Sequence, residues 1–261
     1  MKQLKILSVG NSFSWDTMEY LAEISRDLGI ENVKFANLYV GGCSIKKHFY
    51  HAENDIHTYE YRTNTGDGWN SVFEYSIKDA VSSEEWDYIS VQHGTADGSR
   101  YTDESCYEKL SALYAYIKKY ASPNTKLAFN MTWVGEMDFS HPEIASYNGD
   151  QLKMYHDIVE VTKKMVLSLP EVNVVSPTGT AVQNARTANI TTINRDGYHL
   201  TYGFGRYTAG LTFLYALTGL DISGVCWAPE GVTAYEHSVA IESALNAVIN
   251  PFEITKSVVE E

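Results

Sequence analysis

The chain has 261 residues, 44% of them hydrophobic, and a formal net charge of −13; that length and apolar content suffice for one α/β domain with a full core. No low-complexity tract argues for disorder, and no apolar run approaches the roughly 20 residues of a membrane span. The negative charge argues against a nucleic-acid partner and against docking on anionic membranes, because both would be repelled.

Met1-Lys-Gln-Leu-Lys5 runs directly into the first strand. As it stands the sequence therefore reads as cytoplasmic, or as exported if a leader has been removed. Cys43, Cys106 and Cys226 are odd in number and far apart; they read as reduced thiols rather than as a metal or disulfide framework.

Leu4 to Val9 is a short apolar run, predicted as a buried strand that breaks at Gly10-Asn11. Asp16 to Leu28 carries helical periodicity, with Met18, Leu21, Ile24 and Leu28 on one face and Gly29 as its stop. Asn32 to Val40 is the second strand and closes on Gly41-Gly42. Residues 45–75 then read as an insertion. Within it, Thr58 to Tyr61 alternates toward Asn64-Thr-Gly-Asp-Gly68 and Trp69 to Tyr75 alternates away, a hairpin signal. Its tyrosines and tryptophans suit packing or sugar stacking equally.

Lys78 to Glu85 is a short helix and Trp86 to Val91 the third strand. Asp103 to Tyr120 is helical, Lys126 to Met131 the fourth strand, Gly149 to Leu169 a long helix, and Asn173 to Val175 the fifth strand. Helices follow at Thr178–Ala188, Tyr202–Leu217 and Ala234–Ile249. Strands alternating with helices predict a three-layer α/β/α sandwich around a central parallel five-stranded sheet, with a small β-hairpin insertion, in a single domain over residues 1–261. Ligands of such sheets bind at the carboxyl ends of the strands. Ser12, Gly42, Gln92 and Trp133 all fall just after strands.

Ser12 sits on the turn between the first strand and the first helix, where backbone N–H groups lack helical partners. A hydroxyl there can attack a carbonyl while those N–H groups receive the developing oxyanion; equally, Ser12 or Ser14 can simply cap the helix. Far along the chain, Asn194-Arg-Asp-Gly-Tyr-His199 sets an acid and a histidine three residues apart in a glycine-containing loop. Such a loop can fold so that the carboxylate holds one imidazole nitrogen and leaves the other outward, the base and orienter of a triad.

Four short blocks, in order, resemble those of the SGNH hydrolases, the GDSL-like esterases and lipases. Gly10-Asn11-Ser12-Phe13-Ser14 is similar to the block that carries the nucleophile, and Gly41-Gly42-Cys43-Ser44 to the block whose glycine N–H joins the oxyanion hole. Val91-Gln92-His93-Gly94 falls where the third block is expected, and Asp196 and His199 match the final Asp-x-x-His. The resemblance spans residues 4–218. It implies a flavodoxin-like fold, a Ser12–His199–Asp196 triad, and an oxyanion hole from the Ser12 N–H, the Gly42 N–H and the Gln92 amide, with no cofactor. Two departures stand out. Asn11 replaces the usual aspartate of the first block, and Gln92 stands where the third block normally supplies an asparagine, a substitution that resembles the carbohydrate acetylesterase branch.

Asn11, His93 and Trp133 are further candidates to line a substrate pocket, each with a structural reading beside it. Glu136, Asp97 and Arg195 are candidate readers of substrate polarity or plain surface charges. His48 and His51, at i and i+3, with His57 beyond, lack a defined third ligand, so no metal is expected. A dinucleotide glycine motif and the Gly-x-Ser-x-Gly elbow are both absent. The expected activity is hydrolysis of small acyl esters, O-acetyl foremost, on a small molecule or glycan. The alternatives are a lipid or thioester hydrolase of the same fold, or a carbohydrate-binding protein without chemistry. The oligomeric state is left open.

Overall fold

The apolar runs line up as one sheet in the computed structural model, which describes residues 3–94, 104–137, 142–190 and 192–261. Its strands are β1 (Gln3–Gly10), β2 (Asn32–Tyr39), β3 (Tyr59–Asn64), β4 (Trp69–Tyr75), β5 (Tyr88–Gln92), β6 (Lys126–Asn130) and β7 (Val172–Ser176). The spatial order is β4-β3-β2-β1-β5-β6-β7. β2, β1, β5, β6 and β7 run parallel, as five strands joined by crossovers must.

The expected count of five is corrected to seven. The hairpin does not stand apart: β3 pairs antiparallel with β2 and β4 with β3, extending the sheet. Its own alternation dictates this. Tyr59 and Tyr61 are buried in the core while Glu60 and Arg62, which alternate with them, remain partly exposed, and a strand so divided must lay one face on a core.

Among the described residues the helices are α1 (Ser12–Met18), α2 (Leu21–Asp27), α3 (Ile45–Glu53), α4 (Ile77–Ser82), α5 (Leu110–Tyr120), α6 (Pro142–Ala145), α7 (Gln151–Val161), α8 (Thr178–Arg186), α9 (Phe204–Thr218) and α10 (Ala234–Ile249). They cover both faces of the sheet. On β1, Leu7 and Val9 point into one core with Ile45, Leu113 and Ile158, whereas Leu4 and Ile6 point into the other with Leu21, Val182, Leu211 and Val239. This period-two division of one apolar run between two cores is what a doubly covered strand requires, and each fully buried aliphatic side chain contributes about 1.5–3 kcal/mol.

Four helical expectations change in detail. The helix expected over 103–120 is a short 3₁₀ turn at Glu104–Cys106 followed by α5 from Leu110. The helix expected over 16–28 is two, α1 and α2, because Trp69 Nε1 donates to the Glu19 carbonyl at the joint (3.1 Å). The insertion begins with a helix, α3, that the sequence reading leaves out; its polar-looking face hides two buried histidines, His48 and His51. The helix expected to run to Leu169 leaves α geometry after Val161 and makes one π turn over Thr162–Val166.

Candidate active site

At the end of β1 the chain turns through Asn11, whose extended backbone precedes α1. Its side chain accepts from the Phe13 N–H (2.9 Å) and donates to the Cys43 carbonyl (3.0 Å). Asn11 is therefore the helix cap, and it also ties the first turn to the Gly41–Ser44 loop. Ser14 Oγ lies 2.7 Å from the Asn11 carbonyl and 3.0 Å from Asn37 Oδ1. With capping done by Asn11 and Ser14 held by Asn37, the half-buried Ser12 hydroxyl is left to face outward.

Opposite this turn stands the loop of Asp196 and His199, closed by Gly197 at φ +93°. Arg195 N–H donates to the His199 carbonyl (2.8 Å) across the neck of the loop. Asp196 Oδ2 lies 2.7 Å from His199 Nδ1, and Asp196 Oδ1 accepts from the His199 N–H (2.9 Å). Burial acts to raise the Asp196 carboxyl, but the hydrogen bonds from His199 and the backbone outweigh it, so its pKa lies below the usual value and it stays ionised. His199 Nε2 is buried and has no hydrogen-bond partner among the described residues. Trp133 Nε1 and Asn194 Nδ2 both donate to the Tyr198 carbonyl (2.6 and 2.9 Å), fixing the loop from beneath.

The loop is fastened to α1, the helix that begins at Ser12, by a charge cluster with no local sequence signature. Asp16, one turn after Ser12 on α1, is 0% exposed. It accepts from the Leu200 N–H (2.8 Å), from Arg206 (2.6 Å) and from Arg195 (3.2 Å). Arg206 also pairs with Glu19 at 3.0 Å, and Arg195 reaches Asp196 at 3.9 Å. A buried carboxylate is tolerated only when cations and N–H donors replace its hydration in this way.

Between these parts lies a cleft of about 250 Å³, lined by Asn11, Ser12, Phe13, Tyr39, Gly41, Gly42, Tyr198 and His199. Gly42 takes φ +60°, a conformation that favours glycine. Thus Ser12, Gly42 and His199 share one cavity, with Asp196 behind His199. A larger surface hollow of about 490 Å³ between β4 and α4 contains none of the candidate residues.

Other expected site residues lie elsewhere. Gln92 is 2% exposed and its Nε2 donates to Asn11 Oδ1 (3.3 Å). It packs over Gly10, where an added methyl would stand 2.2 Å from that nitrogen. Gln92 therefore braces Asn11 instead of lining the cleft. Trp133, 1% exposed, stacks on Phe13 at 4.7 Å and is a floor beneath the cleft, not a substrate wall. His93, 0% exposed, meets Thr132 Oγ1 at 2.9 Å, and burial lowers its pKa to about 3. Asn11 borders the cleft, but both ends of its amide are committed.

Glu136 pairs with Arg186 at 3.0 Å and Arg195 with Asp16, so both have structural partners; Asp97 falls outside the described residues. His48 and His51 share the Tyr59 hydroxyl (2.8 and 3.3 Å). Among the described residues no group of three His, Cys, Asp or Glu side chains is placed to hold a metal, and no helix is long and apolar enough to cross a membrane. The sequence reading passes over Phe13, Tyr39 and Tyr198. Their positions were the available signal: Phe13 and Tyr198 adjoin Ser12 and His199, and Tyr39 closes β2 just ahead of the glycine loop.

A family model described as a domain of unknown function, DUF4886, matches residues 5–247. The crystal structure of a DUF4886 family protein from Bacteroides uniformis is 35% identical, superposes with a TM-score of 0.92, and is matched over 98% of either chain. A carbohydrate esterase family 3 structure from Talaromyces cellulolyticus is 14% identical with a TM-score of 0.50, over 83% of this chain and 99% of that one. At that identity the likeness is one of fold, and it is the SGNH-like fold that the four sequence blocks resemble. No curated protein matches the sequence.

Proposed function

This chain belongs to the DUF4886 family, and from that premise we propose that it is a serine esterase that cleaves small acyl esters, acetyl foremost, from a carbohydrate. Ser12 Oγ attacks the ester carbonyl while His199 Nε2 takes its proton and then passes it to the departing alcohol. Asp196 holds the imidazole through Nδ1 and stabilises the imidazolium. The Ser12 and Gly42 N–H groups receive the tetrahedral oxyanion. Water, activated by the same histidine, then releases the acid. No cofactor is needed.

The observation that carries this reading is the His199–Asp196 pair (2.7 Å) whose second imidazole nitrogen is left unpartnered in the cleft that Ser12 and Gly42 line. The small acyl group is supported by the cleft's modest volume of about 250 Å³, which suits an acetyl group and crowds a long chain. The sugar is supported by the aromatic walls Tyr39 and Tyr198 and by the neighbour described as a carbohydrate esterase.

The test is release of p-nitrophenol from its acetate ester by the wild type and by Ser12→Ala. The variant is expected to lose at least roughly 10⁴-fold in kcat while its circular dichroism spectrum stays unchanged. Equal rates in the two proteins, or none in either, would overturn the mechanism. Octanoate in place of acetate is expected to react more slowly.

A further inference from the structure

With Gln92 turned away, the proposed oxyanion hole holds only backbone donors. Five residues lining the cleft carry side-chain donors: Asn11, Ser12, Tyr39, Tyr198 and His199. Ser12 and His199 are nucleophile and base. The Asn11 amide nitrogen is turned to the Cys43 carbonyl at 3.0 Å. Tyr198 lies against the His199 ring, centroids 4.0 Å apart, on the base side of the cleft. Tyr39 alone stands on the side of the glycine loop.

Its geometry there is specific. A methyl group built on Gly41 would lie 3.4 Å from the Tyr39 hydroxyl, so the hydroxyl overhangs the loop that carries the Gly42 N–H. The hydroxyl has no hydrogen-bond partner among the described residues. The ring is not free to swing, because the Arg62 guanidinium lies 4.0 Å from its centroid and 4.4 Å from that of Trp15. Glu60 holds Arg62 from behind at 2.7 Å. The insertion hairpin thus immobilises a phenol at the cleft, with its donor unspent. A fixed donor costs no reorganisation when charge develops, which is the requirement for transition-state stabilisation.

We propose that the Tyr39 hydroxyl is the third donor of the oxyanion hole, taking the place that a third-block amide fills elsewhere in the fold. It donates a hydrogen bond to the tetrahedral oxyanion and keeps its proton throughout. This assignment rests on the esterase reading of Ser12.

Tyr39→Phe removes the hydroxyl and keeps the ring between Arg62 and the cleft. On p-nitrophenyl acetate the variant is expected to lose about a hundred-fold in kcat, the lower end of the usual cost of one oxyanion donor, with KM unchanged. Its affinity for phenylboronic acid, whose tetrahedral serine adduct mimics the intermediate, is expected to fall by a similar factor, while its thermal midpoint stays that of the wild type. A Tyr39→Phe enzyme that keeps both kcat and boronate affinity within about three-fold overturns the assignment. A wild type that neither turns over the ester nor binds the boronate overturns the esterase reading itself, so the two failures are told apart.

Discussion

The two sides of the Ser12 cleft are held by different physics. On the base side, the Asp196–His199 loop is bolted to α1 by ions: a fully buried Asp16, two arginines and a backbone N–H at 2.6–3.2 Å. On the other side, the Gly41–Ser44 loop accepts a neutral hydrogen bond from the Asn11 amide at Cys43 and is overhung by a phenol stacked against one guanidinium. Hydrogen-bonded buried charge fixes direction sharply and fails abruptly when one partner is removed; stacking and neutral hydrogen bonds yield by smaller steps. An imidazole that acts as the proposed base must keep one tautomer and one aim, and the first kind of support suits it.

The contrast can be broken in four ways. The largest effect is expected from Asp196→Asn, which leaves the loop in place but removes the carboxylate that sets the His199 tautomer. Ester hydrolysis should fall by roughly 10³–10⁴-fold with little change in the denaturation midpoint, because the Asp196 side chain is 47% exposed. Loss of stability on the same scale as Asp16→Ala would show that the orienting and fastening roles are not separate.

Asp16→Ala comes next. It removes the closer of the two carboxylates that hold Arg206, whose side chain is 6% exposed and keeps only Glu19, and should cost about 3 kcal/mol in denaturant unfolding. A cost under about 1 kcal/mol would mean that the charge cluster fastens nothing.

The third effect is pH dependence of stability. Burial lowers His48 and His93 from 6.5 to about 3. Both stay neutral in the fold while the unfolded chain takes up protons, so stability is full above pH 6.5 and declines as pH falls from there toward 3. Each histidine should supply a slope of about 1.4 kcal/mol per pH unit in that window, and His48→Phe should remove one share of it. An unchanged slope in that variant would show that His48 takes up its proton in the fold.

Arg62→Ala is expected to be the mildest, costing about 1 kcal/mol for two partly exposed ring contacts. If it matched Asp16→Ala, the division between the two sides of the cleft would collapse.

Much of the frame was legible because the signals are local. The five parallel strands follow from short apolar runs with turn residues between them. α10 was bounded to the residue, Ala234–Ile249, because Thr233 and Glu236 form a capping box at its start. Ser12, Gly42, Asp196 and His199 sit in blocks of a few residues, and all but Asp196, which stands behind His199, line the cleft that chemistry would need. What sequence hid was side-chain direction. Gln92 ends β5 and Trp133 follows β6, yet one turns under Asn11 and the other under Phe13. Position along the chain does not say which way a side chain leaves the end of a strand. α3 was hidden because His48 and His51 look like surface and are buried against Tyr59. The hairpin was read, but not its pairing partner, since nothing in its own residues names β2.

The Asp16–Arg206 bond joins residues 190 positions apart, and this has a consequence for how the chain is made. A ribosome adding about 5–20 residues per second produces Arg206 roughly 10–40 s after Asp16, and Arg195 only slightly sooner. Throughout that interval α1 carries a carboxylate whose burial is unfavourable without its cations, so it stays hydrated and the helix stays loose on the nascent sheet. The parallel strands β1, β2, β5 and β6 are all synthesised before the two arginines emerge. Assembly of the cleft thus waits for the last third of the chain, and a stalled chain ending before residue 195 carries Ser12 without the loop that faces it.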